Sequence, residues 1–148
     1  SGVLTETPAI LAFIAQMAPE KKLAPLDDPF EFALMQSFNA FISSTVHVAH
    51  AHGRRGSRWA NEESSFADMK AKVPQTMGEC FELIEHGLLH GPWVLGTAYS
   101  VADPYLFVMS GWLESDGVDI ARFPKVHDHF RRMNDRPAVQ RALASERG

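Results

Sequence analysis

The segment Tyr99-Ser100-Val101-Ala102-Asp103-Pro104-Tyr105-Leu106-Phe107 limits what this chain can become more than any other. Ser100 is a strong helix N-cap, whose hydroxyl accepts from the free amide at the third helical position. Asp103 occupies that position and can reach back to the amide of Ser100, so two orphan donors are satisfied together. From Val101 to Leu113 the chain is apolar on nearly every face, which predicts a helix in the middle of a core. Unpaired amides at a buried helix start are costly, and such a cap contributes about 0.5–2 kcal/mol.

Helical punctuation recurs along the rest of the chain. Thr7 reads as an N-cap with Pro8 at the first helical position, followed by apolar Ile10, Leu11, Phe13, Ile14 and Met17. A proline-punctuated linker runs from Ala18 to Pro25. Asp28 then Pro29 restart a helix whose apolar stripe is Phe30, Leu34, Phe38, Phe41 and Val48, with Thr45 its polar member. Gly53-Arg54-Arg55-Gly56-Ser57 ends it. The cleanest period belongs to Phe66, Met69, Val73, Met77, Cys80/Phe81, Ile84 and Leu88. Pro74 lies inside that pattern and predicts a bend near residues 70–73. Gly91-Pro92-Trp93-Val94-Leu95-Gly96 is a turn-rich connection. The central helix ends near Asp116-Gly117, and two short helices follow, around Pro124–Asn134 and from Pro137 to about Ser145. No segment alternates at period two for long enough to predict a strand, so the expected fold is all-α, an orthogonal helical bundle.

A chain of 148 residues, 45% hydrophobic, can bury a core. Its net charge of −4 speaks against a nucleic-acid or anionic-membrane surface, so neither partner is expected. A single cysteine rules out an intrachain disulfide and suits a reducing, cytoplasmic setting. No apolar run reaches membrane length.

Ser-Val-Ala-Asp-Pro-Tyr-Leu-Phe (100–107), preceded by Gly-Pro-Trp-Val-Leu-Gly (91–96) and followed by Phe-Pro-Lys-Val-His-Asp-His-Phe-Arg-Arg-Met-Asn-Asp-Arg-Pro-Ala-Val-Gln-Arg-Ala-Leu (123–143), resembles the C-terminal helical domain of a glutathione transferase. In that family the Ser-x-x-Asp box marks the central helix, and the resemblance covers essentially the whole chain. Residues 4–11 resemble the end of the family's N-terminal thioredoxin-like domain. The resemblance implies that residues 1–18 are a remnant of that domain, its third helix. It makes 19–27 a linker and 28–148 the all-helical C-terminal domain. It further implies glutathione as co-substrate, a small hydrophobic electrophile as second substrate, and a homodimer. The thiol-activating residue and the loop holding the tripeptide backbone would then lie upstream. No catalytic residue would stand in this chain, which by itself would be inactive.

Several constellations admit a bland and a chemical reading. A carboxylate and a hydroxyl at a helix start, Glu6 and Thr7, are ordinary capping types, yet the helix N-terminus also suits a substrate carboxylate. By resemblance Thr7 would donate to the γ-glutamyl carboxylate of glutathione and Glu6 would accept from its ammonium. His47 and His50 fall about 60° apart on one helix face, while His52 falls about 140° from His47. Without a neighbouring Cys, Asp or Glu they make a weak metal site, so no metal is expected. A solvated helix C-terminus is the plain alternative. Phe41-Ile42-Ser43-Ser44-Thr45-Val46-His47 resembles the bacterial beta-class stretch ending in a pocket histidine, although Val48 stands where a lysine follows there. The resemblance therefore puts Ser43, His47 and His50 in the electrophile pocket. Trp112 joins them there, or is a core aromatic; Tyr105 reads as core. Cys80 sits on an apolar stripe and should be inert. Glu82, His86 and His90 suggest a surface pair, and His127-Asp128-His129 looks solvated. The competing function is a non-catalytic interaction or assembly module of the same fold; a histidine-based metal carrier is a weaker third.

Overall fold

The computed structural model describes residues 2–147. Helix α1 spans Thr7–Met17, α2 Pro29–Phe41, α3 His47–His52, α4 Glu63–Leu83, α5 Ala102–Ser110, α6 Pro124–Asn134 and α7 Pro137–Arg147. Among the described residues there is no strand, and an isolated bridge joins Trp93 to Gly96. The fold is all-α. No helix of the described residues is long and apolar enough to cross a membrane.

α5 lies at the centre, packed against α2, the turn that follows α2, and α6. Val101, Ala102, Tyr105, Leu106, Met109 and Leu113 are buried there. The expectation of burial on all sides needs one correction, because Val108 is 45% exposed. Apolar composition all round a helix does not guarantee it a neighbour on every side.

The clasp at the start of α5 forms with a rearranged bond. Ser100 N–H donates to Asp103 Oδ2 at 2.7 Å, the expected reach-back. Ser100 Oγ accepts from the amide of Ala102 at 3.2 Å rather than from that of Asp103. The Asp103 amide is already committed to the Ser100 carbonyl at 3.2 Å, a tight i→i−3 first turn. The second carboxylate oxygen does more than cap. Asp103 Oδ1 accepts from the Val94 amide at 2.8 Å and from His129 Nε2 at 3.1 Å, so one side chain ties together a loop and two helices. That loop is built to deliver Val94: a Cβ on Gly91 would stand 2.7 Å from the Gly96 carbonyl oxygen.

His129 is fully buried, which overturns the solvated reading of His127-Asp128-His129. Residues two apart in a chain fall about 200° apart around a helix, so His127 and His129 face opposite ways. α6 buries Val126, His129 and Met133, and only the histidine in that stripe is polar. The start of α6 is capped from afar, by the buried carboxylate of Glu85, which accepts from the amides of Lys125 and Val126, both at 3.0 Å.

On α2 the buried face is shifted from the expected stripe. Met35, Phe38 and Asn39 are buried, continuing into Ile42, Val46 and Ala49. Phe30 is 70% exposed and Leu34 39% exposed. Both stripes have helical spacing, and a helix with two adjacent apolar stripes does not disclose which one faces inward. α4 follows its expected pattern through Val73, Met77, Cys80, Phe81 and Ile84, and runs unbroken through Pro74. Gly117, at φ 76°, lies against that proline, where a Cβ would meet Pro74 Cγ at 3.3 Å. Leu23 in the linker accepts from the Val101 amide at 2.8 Å, fastening residues before α2 to the start of α5.

Candidate functional site

α1 begins on a strained residue. Glu6 has φ 69° and ψ 117°, an uncommon conformation for a residue with a side chain. Its carbonyl accepts from Ala9 and Ile10, both at 3.0 Å. Thr7 is the first helical residue rather than the cap, and no side chain caps this helix start. The expected capping role is thus not what these two side chains perform. The Thr7 side chain lies instead beside the phenol of Tyr105 on α5. Burial pushes the Tyr105 hydroxyl's pKa up, the neighbouring Thr7 side chain opposes this, and the Glu6 carboxylate adds to it. Tyr105 is therefore a core aromatic whose polar end meets the α1 start.

The second cluster follows a local irregularity. Between α2 and α3 the chain makes one π-helical turn, Ile42–Val46, before resuming α geometry at His47. Such single turns recur at functional sites because the extra residue rotates everything after it. Ile42 and Val46 are buried in it, and the hydroxyls of Ser43 and Ser44 donate to the Ala40 carbonyl at 3.1 and 2.8 Å.

After this turn His47 and His50 both meet Trp112, in the segment after α5. His47 stands edge-on to the indole, with centroids 5.3 Å apart; His50 stacks on it at 4.2 Å. His52 turns away to Trp59, at 4.2 Å, as its angular offset predicts. Ser43 is joined to neither His47 nor His50 by a hydrogen bond among the described residues. Burial lowers the pKa of His47, and the nearby charges of Arg55, His50 and Arg58 lower it further. His47 is accordingly a neutral imidazole at neutral pH.

His50 has a partner that sequence spacing did not reveal. Its Nδ1 lies 2.9 and 2.8 Å from the two carboxylate oxygens of Asp116. The two residues are 66 apart in the chain, and only the packing of α3 beside the turn after α5 brings them together. In the sequence Asp116 stands at a helix terminus, and no local signal distinguishes that from a histidine partner. Behind it lies a cleft of about 450 Å³ lined by Arg54, Lys70, Pro74, Asp116 and Gly117 among others. Cys80 is buried with its thiol pKa raised by desolvation and then by Glu79, an inert thiol as expected. Glu82 and His86 form the expected surface pair at 3.1 Å.

This arrangement can be set beside solved proteins. The chain is 47% identical to a glutathione transferase homolog from Sulfitobacter, solved with bound glutathione, covering 98% of this chain and 69% of that one, with a TM-score of 0.95. The chain belongs to the bacterial glutathione S-transferase family. It is also 34% identical to BphK, a bacterial glutathione transferase solved as a ternary complex, over 97% of this chain and 68% of that one, at a TM-score of 0.83. Among curated proteins, glutathione S-transferase GstA of Escherichia coli O157:H7 is 23% identical over 145 residues, which are 97% of this chain and 68% of that protein. No family model matches the chain.

Proposed function

We propose that this chain is the electrophile-pocket part of a glutathione transferase, acting on a small hydrophobic electrophile with glutathione as co-substrate. The convergence of His47 and His50 on the half-buried Trp112 is the observation that carries this reading. A flat indole offers stacking area to an unsaturated substrate, and a neutral imidazole beside it offers a hydrogen bond without a charge to desolvate. Ser43, one turn earlier, lines the approach. In this reading residues 1–18 belong to a thioredoxin-like domain, 19–27 link it, and 28–148 are the helical domain.

Glutathione would meet the α1 start. Thr7 donates to its γ-glutamyl carboxylate and Glu6 accepts from its ammonium, while the positive end of the α1 dipole adds favourable partial charge. The strained backbone of Glu6 supports that assignment, since strain of about 1–3 kcal/mol persists where surroundings over-determine it and concentrates at functional sites. The thiolate then attacks the electrophile above Trp112. No residue of this chain is assigned to thiol activation, so purified chain alone should not conjugate 1-chloro-2,4-dinitrobenzene. Turnover by the chain alone would overturn that assignment. Saturable binding of S-hexylglutathione by calorimetry, weakened in both Thr7→Ala and Trp112→Ala, tests the two halves of the site; no binding would sink the reading.

An assembly role has its own support. Ile10, Phe13, Ile14 and Met17 on α1 are 37, 50, 46 and 68% exposed, and Phe30 and Leu34 on α2 add to them. Apolar side chains of this size in water favour a covering partner, and a homodimer is the proposed one. Sedimentation of the chain at rising concentration checks it.

A further inference from the structure

The loop after α3 gathers positive charge on a chain whose net charge is −4. It carries Arg54, Arg55 and Arg58, and Lys70 on α4 lines the same clefts as Arg54. Two glycines bring this loop down on α4. A Cβ on Gly56 would stand 2.8 Å from Phe66 Cδ1, and one on Gly53 would meet Val73 Cγ2 at 3.4 Å. The first approach is open only to a residue without a side chain. Phe66, Lys70 and Val73 recur at helical spacing, so a loop pressed on that face of α4 meets all three. Two clefts open along the seam, of about 450 and 260 Å³, and Gly53, Arg54 and Lys70 line both. Val73 and Pro74 wall the larger, His52 and Phe66 the smaller. Among the described residues neither Arg54 nor Lys70 has an ion-pair partner. Asp116 borders the larger cleft, but its oxygens are engaged by His50 Nδ1 at 2.9 and 2.8 Å. Its side chain is 5% exposed, so it presents little to a ligand there.

We propose that these joined clefts bind an organic phosphate monoester, at a site separate from the electrophile pocket and independent of that reading. A phosphate monoester carries a charge of about −1.5 to −2 at neutral pH, which matches two cations where a carboxylate matches one. The Arg54 guanidinium can hold two phosphate oxygens in its fork while the Lys70 ammonium, a point charge, holds the third. The carbon skeleton of the ester is what the walls ask for. Sites of this volume suit a small organic molecule, and bare phosphate would leave most of the space to water. Val73, Pro74 and Phe66 offer that skeleton apolar contact on either side of the two cations. Both cations are exposed, so the attraction is screened by salt.

The test titrates ¹⁵N-labelled full chain at low salt with phenyl phosphate, inorganic phosphate and phenol. Phenyl phosphate should move the Gly53, Lys70 and Gly117 amides saturably. It should bind about tenfold more tightly than inorganic phosphate, the scale of burying part of one ring. Arg54→Gln and Lys70→Gln should each weaken it about fivefold, the scale of a charge-assisted hydrogen bond open to solvent. Arg54→Lys keeps the charge without the fork and should recover only part of that loss. Arg131→Gln, at an exposed position on α6, changes net charge by the same amount and should leave the affinity unchanged. Because all these side chains are exposed, the variants should fold as the parent does. Affinity that survives Arg54→Gln, or that falls equally in Arg131→Gln, overturns the site. Inorganic phosphate binding as tightly as phenyl phosphate overturns the ester assignment. Shifts confined to the Trp112 indole would put the probe in the electrophile pocket and overturn the proposal as well.

Discussion

Three acid–histidine pairs in this molecule have nearly the same chemistry and three different surroundings. Asp103 and His129 are 3.1 Å apart with side chains 0 and 1% exposed. Asp116 and His50 are 2.8 Å apart at 5 and 14%. Glu82 and His86 are 3.1 Å apart at 47 and 73%. Distance does not separate them; access to water does. A carboxylate shut away with its donors contributes to stability, because removing it strands every group it satisfied. A pair with one ring nitrogen still open to solvent has an unused donor or acceptor, which is what a binding site requires. A pair standing in water is screened and contributes little.

The buried pair should give the largest effect. Asp103→Ala leaves the amides of Ser100 and Val94 and the His129 ring without their acceptor, and should cost about 3–5 kcal/mol in urea unfolding. A cost near 1 kcal/mol would mean that burial does not set this pair apart from the others. Next comes His129→Leu, which removes one donor but leaves Asp103 its backbone partners. Since Nδ1 of His129 is buried without a partner, an apolar replacement relieves one penalty while adding another, and a cost of about 1–2 kcal/mol is expected. Asp116→Asn should fall lower, about 1 kcal/mol, because the amide oxygen can still accept from His50 Nδ1, while disturbing the His50 spectrum more than any other variant disturbs its own histidine. Glu82→Ala should stay within about 0.5 kcal/mol.

His47, unlike these three paired rings, makes stability depend on pH through its burial. Its folded pKa lies below the ordinary value of 6.5, mainly through burial. Over the interval between the lowered pKa and 6.5 the unfolded chain binds more protons than the folded one, so stability rises as pH rises through that window. Below the folded pKa the penalty is fully present; above the unfolded pKa it is gone. His47→Gln should flatten that part of the unfolding free-energy curve measured against pH. A wild-type curve that falls across the window would reverse the assignment.

Much of this architecture is legible in the chain. The Ser100–Asp103 box, the stripe from Val73 to Ile84 and the proline starts of α2, α6 and α7 all depend on neighbours within a few positions, where sequence spacing and geometry are the same information. His47 and His50 were legible as a pair for the same reason, and His52 as an outlier. Which apolar stripe of α2 faces inward was not, because the choice between Phe30-Leu34 and Met35-Ile42 is made by what packs against the helix.

Local order in the chain therefore settles where helices begin, what period they bury and which histidines share a face, since each of these is an interaction over four residues or fewer. Long-range packing settles the rest. It carries His129 inward to Asp103, Glu85 across to the start of α6, and Asp116 over 66 positions to His50. Each of these contacts joins residues with no periodic relation, and a carboxylate has the same one-letter symbol whether water or an imidazole lies in front of it.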